Sequence, residues 1–246
     1  MAVRPLVIVH MGYPPADIRA RVGDQPQWFR QALGQEEALH IVRPFLGEAL
    51  PDVRTIRGAI ISGSWSMVTE REGWSERTAD WALALMAQDT PLLGVCYGHQ
   101  LMADALGGTV DYNPRGSETG RQTVVLNASA QSDPLLEGLP TRFNAFLSHA
   151  QSVLTLPAGA TALGASELDA MQIIRYSPQA FSVQFHPEFT PQIMRAIIES
   201  RSERLAEHAD VAQLLADCEP TPQSLGILQR FGAICRQTEG LCEPLK

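Results

Sequence analysis

The stretch PLLGVCYGHQLMADALGG, Pro91 to Gly108, constrains this chain more than any other. An apolar run of strand-like length meets Gly94-Val-Cys96-Tyr-Gly98, and a helix-like run follows, closing at Gly107-Gly108. A strand that turns at once into a helix forces strained angles on the apex residue. It also demands small neighbours where the chain passes close to itself, the logic of a nucleophile elbow. Such an apex side chain stands beyond the carboxyl end of its strand, where open α/β sheets bind ligands. The helix N-terminus facing the sulfur favours the thiolate. A small, buried, inert cysteine is the competing reading of the pentapeptide alone.

The rest of the chain agrees with an α/β sheet. PLVIVH (5–10), RGAIISG (57–63) and PLLGV (91–95) are continuous apolar runs, as expected of strands covered on both faces. Helical patterns fall between them, at 27–33 and, more strongly, at 76–87 around Trp81, Leu85 and Met86. The middle changes character. TVVLNA (123–128), SVLTLPA (152–158) and MQIIRYS (171–177) alternate more and predict an antiparallel or mixed portion. AFSVQFHPEF (180–189) reads as a strand running into a loop. From Pro191 the pattern is helical, with a proline-rich break at 219–222. The division expected is a catalytic domain over 1–190 and a helical C-terminal extension over 191–246.

A nucleophilic cysteine needs a base. Of six histidines (His10, His40, His99, His149, His186 and His208), His186 stands out in Gln184-Phe-His-Pro-Glu188, directly after an apolar strand. Glu188, two residues on, is placed to orient the imidazole. Alone, His-Pro-Glu also reads as a charged surface turn. Cys218, Cys235 and Cys242 lie in the helical segment, where packing is the simpler explanation. No Cys/His spacing suits zinc, and four cysteines in a chain this long do not make a disulfide framework, so no metal and a reducing cytoplasmic setting are expected.

Together, GVCYGHQLMADALGG and FSVQFHPEF, about 90 residues apart, resemble the class I, triad-type glutamine amidotransferases. The likeness covers roughly residues 5 to 190 and is greatest to the glutaminase domain of GMP synthase and its stand-alone relatives. It implies a three-layer α/β/α fold of flavodoxin-like kind, with a mostly parallel, mixed central sheet. It implies a reaction too. Cys96 attacks the side-chain amide of glutamine, His186 is base and acid, and Glu188 orients it. Gln100, Ser148 and His149 match substrate-contacting positions, with His149 also the second candidate for the base and His99 in a supporting role. The backbone N–H of Tyr97 matches one oxyanion donor. Close relatives carry Ser-Gly-Gly-Pro where this chain has Ser62-Gly63-Ser64-Trp65, so Ser64 takes the place of the glycine that supplies the second donor.

The resemblance implies no cofactor. Glutamine or another γ-glutamyl amide is the expected substrate, with ammonia passing to a separate synthetase subunit, because no phosphate-binding loop follows residue 190. The alternatives are a stand-alone hydrolase of a γ-glutamyl amide and a non-catalytic regulatory module. A net charge of −8 argues against a nucleic-acid partner. No apolar run is long enough for a membrane span. The segment 11–26, including Met11-Gly-Tyr-Pro-Pro15, reads as a long loop on the active side of the sheet.

Overall fold

Apolar strands become a sheet here because each can be covered on both faces. The computed structural model describes residues 4–240. Its strands are β1 (Leu6–Val9), β2 (Leu39–Val42), β3 (Gly58–Ile61), β4 (Leu92–Val95), β5 (Thr109–Tyr112) and β6 (Glu118–Leu126). Then come β7 (Arg142–His149), β8 (Gln151–Thr155), β9 (Thr161–Ala165), β10 (Ile173–Ser177) and β11 (Ala180–Val183). The helices are α1 (Ala16–Val22), α2 (Gln25–Leu33), α3 (Gly73–Met86) and α4 (Tyr97–Ala105), then α5 (Pro191–Ser200), α6 (Ser202–Leu205), α7 (Val211–Ala216) and α8 (Pro222–Gly240).

The main sheet runs β2-β1-β3-β4-β11-β10-β9-β6-β7. From β2 to β11 every pairing is parallel; from β11 to β7 every pairing is antiparallel. β5 and β8 pair separately. Strand periodicity divides the core. Leu6, Ile8, Ile60, Leu93, Val95 and Val183 face one way, onto Phe29 of α2 and Ile227, Leu228 and Phe231 of α8. Val7, Val9, Ala59, Ile61 and Leu92 face the other, onto Ala82 and Leu85 of α3 and Leu101 and Met102 of α4. Alternate residues of one strand thus bury into opposite helical layers, which makes the three-layer fold.

The expected loop 11–26 instead contains α1 and the start of α2. Asp24 opens α2 in a reciprocal cap, with its backbone N–H donating to Gln27 Oε1 at 3.2 Å. α1 packs against α5, and Ile18, Trp28, Phe146, Phe189 and Ile197 form a third apolar cluster there. Past Pro191 the chain is helical as expected, and α8 supplies part of the same core as the sheet. Cys242 lies outside the described residues. Among the described residues, no helix is long and apolar enough to cross a membrane.

Candidate active site

The strand-to-helix turn has the geometry its sequence demands. Cys96 caps α4 with φ 51° and ψ −97°. A non-glycine residue in such a region costs on the order of 1–3 kcal/mol and persists only where its surroundings enforce it. A Cβ on Gly94 would lie 2.5 Å from the Gly98 carbonyl oxygen, and one on Gly98 would lie 2.3 Å from that of Ile61. Both obstacles are backbone, so only glycine fits at either position. Within the turn, the Gly98 N–H donates to the Ser62 carbonyl and the Cys96 N–H to that of Val183, which ties the apex to β3 and β11.

β11 ends beside β4, and the chain beyond it carries His186 to the sulfur. The His186 N–H donates to the Phe146 carbonyl at 2.8 Å, and its ring stacks on Phe189 with centroids 3.9 Å apart. Nδ1 lies 2.8 Å from Glu188 Oε1, and the ring is close enough to Cys96 for the sulfur to bear on its pKa. Burial works against a charge on this imidazole. The adjacent Glu188 carboxylate and the Cys96 sulfur overcome it, so the pKa is raised. Gly63 lies directly beneath: a Cβ there would fall 2.8 Å from His186 Cε1 and 3.6 Å from Cys96 Cβ. Cys96, His186 and Glu188 are all buried.

The Ser62–Trp65 turn borders the same site. The Met11 N–H donates to Ser62 Oγ, which itself donates to the Gly63 carbonyl. Ser64 Oγ donates to the Met11 carbonyl at 2.8 Å and accepts from the Ser66 N–H at 3.1 Å. Ser64 is not among the residues with positive φ, so the serine meets no left-handed strain. Tyr97 is the first residue of α4, where backbone N–H groups precede the intrahelical ladder. Its ring stacks on Trp74, its hydroxyl bonds Ser75 Oγ at 2.6 Å, and burial raises its pKa to about 12.

Gln100, Ser148 and His149 reach the site from α4 and β7. Gln100 Nε2 donates to the Gln151 carbonyl at 2.6 Å and to Gln184 Oε1 at 3.0 Å. His149 sits in a different pair. Its Nδ1 is 3.0 Å from the Gln151 carbonyl, and its Nε2 is 3.1 Å from Glu118 Oε2. Both ring nitrogens are engaged by these partners; the imidazole beside the sulfur belongs to His186. Glu118, His149 and Asp169 present donor atoms within 4.8 Å of one another. Glu118 Oε2 there already accepts from Ser166 and Gln172. His99 is buried, bonded to Ser182 Oγ at 2.8 Å, with its pKa lowered to about 3 chiefly by burial. Its partner is the sheet.

Cys96 opens onto a cleft of about 1240 Å³. Cys96, Tyr97, Ser64 and Gln100 form one wall; Glu118, Ser148 and His149 form another. Residues between Glu199 and Leu214 line it as well, with Arg201 donating to Ser148 Oγ at 2.8 Å. Glu118 and Arg201 escape sequence reasoning: Glu118 has no motif around it, and Arg201 is one charge among several in the helical stretch after Pro191.

Residues 32–202 match the family model for glutamine amidotransferase class-I. The chain is 35% identical over 143 residues to a glutamine-hydrolysing GMP synthase of Aeropyrum pernix, covering 58% of this chain and 26% of that protein. It is 31% identical over 153 residues to a glutamine-hydrolysing GMP synthase subunit of Archaeoglobus fulgidus, covering 60% and 77%. It is 29% identical over 150 residues to gamma-glutamyl peptidase 4 of Arabidopsis thaliana, covering 60% of each. A glutamine amidotransferase structure from Thermotoga maritima superposes with a TM-score of 0.74 at 22% identity, over 95% of this chain and 98% of that one, a likeness of fold. With the match running through the elbow and the His-Pro-Glu turn, the chain belongs to the class I glutamine amidotransferase family.

Proposed function

We propose that the chain hydrolyses the side-chain amide of a γ-glutamyl group through a thioester on Cys96, with glutamine the substrate and ammonia the first product. The observation that carries this reading is the strained elbow, which holds Cys96 against the His186–Glu188 pair. The sulfur adds to the δ-carbon while the developing oxyanion takes hydrogen bonds from the Ser64 and Tyr97 N–H groups. His186 then delivers its proton to the amide nitrogen, the C–N bond breaks, and ammonia leaves. Water, losing its proton to His186, opens the thioester and releases glutamate, which regenerates the thiolate–imidazolium pair. Glu188 holds the ring in place and stabilises its charge. Gln100, Ser148 and His149 contact the glutamyl group. The likeness to a glutamine-hydrolysing GMP synthase subunit supports a separate acceptor-activating partner that takes the ammonia.

A second reading is favoured by the size of the cleft, about 1240 Å³. Sites for drug-sized ligands run to about 300–1,000 Å³, so there is room for a substituent on the γ-amide nitrogen. The same residues then cleave a larger γ-glutamyl amide, as the likeness to a gamma-glutamyl peptidase suggests. Glutamate release from glutamine, measured beside γ-glutamyl dipeptides, tests both. Release from glutamine supports the first reading and preferential cleavage of dipeptides the second; no release from either contradicts the common chemistry.

A further inference from the structure

Arg201 is the C-cap of α5 and lines the cleft that holds Cys96. Its Nη1 donates to Ser148 Oγ at 2.8 Å. Burial lowers its pKa, the neighbouring Arg204 lowers it further, and the Cys96 sulfur works the other way. Arg201 is half-buried, and a guanidinium partly withdrawn from water is favoured by a carboxylate partner. Here none pairs with it among the described residues. Glu199, two residues earlier on the same helix, is held by Arg21. Glu203 lines the cleft but makes no ion pair with Arg201 among the described residues. The guanidinium has five donors, and Ser148 takes one. Balance is left to something that enters the cleft.

We propose that Arg201, tethered by Ser148, is the anion-binding residue of the cleft and pairs with the α-carboxylate of the γ-glutamyl substrate. This rests on the preceding reading that a γ-glutamyl amide is bound at Cys96. An extended glutamyl group carries its α-carboxylate roughly 5 Å from the δ-carbon under attack, by ordinary bond lengths. Arg201 and Cys96 line the same cleft, and Ser148 fixes Arg201 in place there. The planar fork suits a carboxylate held by two hydrogen bonds. Ser148, beside its own contact with the glutamyl group, then also positions Arg201.

Binding without turnover tests the assignment. L-glutamine and L-glutamine α-amide, which differ only in the carboxylate, are titrated by NMR into Cys96→Ala protein. Cys96→Ala is expected to prefer glutamine by about 10- to 100-fold, the range of charge-assisted hydrogen bonds. Adding Arg201→Gln should erase that preference by weakening glutamine alone, and Ser148→Ala should reduce it. Arg201→Lys keeps the charge without the fork, so it should keep part of the preference; it also serves if the glutamine variant fails to fold. An Arg201→Gln protein that still prefers glutamine, equal weakening of both ligands, or no preference in the parent would overturn the proposal. The hydrolysis reading fails separately, if protein with Cys96 intact releases no glutamate from any γ-glutamyl amide while the Arg201-dependent preference stands.

Discussion

His186 Nδ1 lies 2.8 Å from Glu188 Oε1, and this pairing raises the imidazole pKa although the ring is buried. Removing the carboxylate leaves burial to act with less opposition, so Glu188→Gln should bring the His186 pKa down. The sign for stability follows. A raised folded-state value adds stability that is complete below the ordinary histidine range and is lost as pH climbs through the folded value. A ¹³C-histidine NMR titration should show the His186 ring of the parent protonated well above its ordinary range, and that of Glu188→Gln deprotonating at lower pH. An unchanged titration would mean that Glu188 does not hold the charge.

Turnover should rank these two residues. General acid–base help accounts for about 10²–10⁴-fold in rate. His186→Ala should lose the upper end of that range, and Glu188→Gln less, because the ring still stacks on Phe189. His149→Ala should impair substrate binding more than the chemical step, since Glu118 and the Gln151 carbonyl hold that ring. Steady-state kcat and KM for the three variants decide this. Normal turnover in His186→Ala would remove it as the base.

Two glycines of the site should fail in different ways. In Gly98→Ala the new methyl meets the Ile61 carbonyl 2.3 Å away, and backbone must move. Overpacking of this kind costs about 1–3 kcal/mol, read as a lower urea midpoint. In Gly63→Ala the methyl meets His186 Cε1 at 2.8 Å, so the ring gives way instead. That variant should keep more of its stability and lose most of its turnover. The reverse pattern would show that the two contacts are ranked wrongly.

Much of the site was legible because its requirements are local. Gly94-x-Cys-x-Gly98 carries its own steric reason, and His186 and Glu188 sit two residues apart at the end of a strand. β1, β3 and β4 announce themselves as continuous apolar runs because both faces are covered. β9, with Thr161-Ala-Leu-Gly-Ala165, carries small residues and little pattern; pairing with β10 and β6 makes it a strand. β2 is half-exposed on the sheet edge, and its exposed His40 interrupts the apolar run. α1 hid behind Pro14-Pro15, which reads as a loop until packing against α5 is known. Glu118 and Arg201 are positioned by tertiary structure alone, from opposite ends of the antiparallel strands and helices that wall the cleft.

Ser64 should tolerate glycine. Its φ is not positive, so glycine relieves no strain, and what is lost is the bonding of Oγ to Met11 and Ser66. Ser64→Gly should therefore retain turnover with a slightly lower melting temperature. Ser64→Pro removes the N–H. If that group is an oxyanion donor, turnover should fall about 10²–10³-fold with substrate binding less affected. A Ser64→Pro protein that melts near the parent and turns over normally would place the oxyanion elsewhere.

The central claim is covalent: Cys96 carries the glutamyl group. Incubation with the glutamine analogue 6-diazo-5-oxonorleucine, followed by peptide mass spectrometry, reads it directly. A single adduct is expected on the peptide bearing Cys96, formed with loss of activity, blocked by excess glutamine, and missing in Cys96→Ala. Labelling spread over Cys218 and Cys235, or turnover retained in Cys96→Ala, would contradict it.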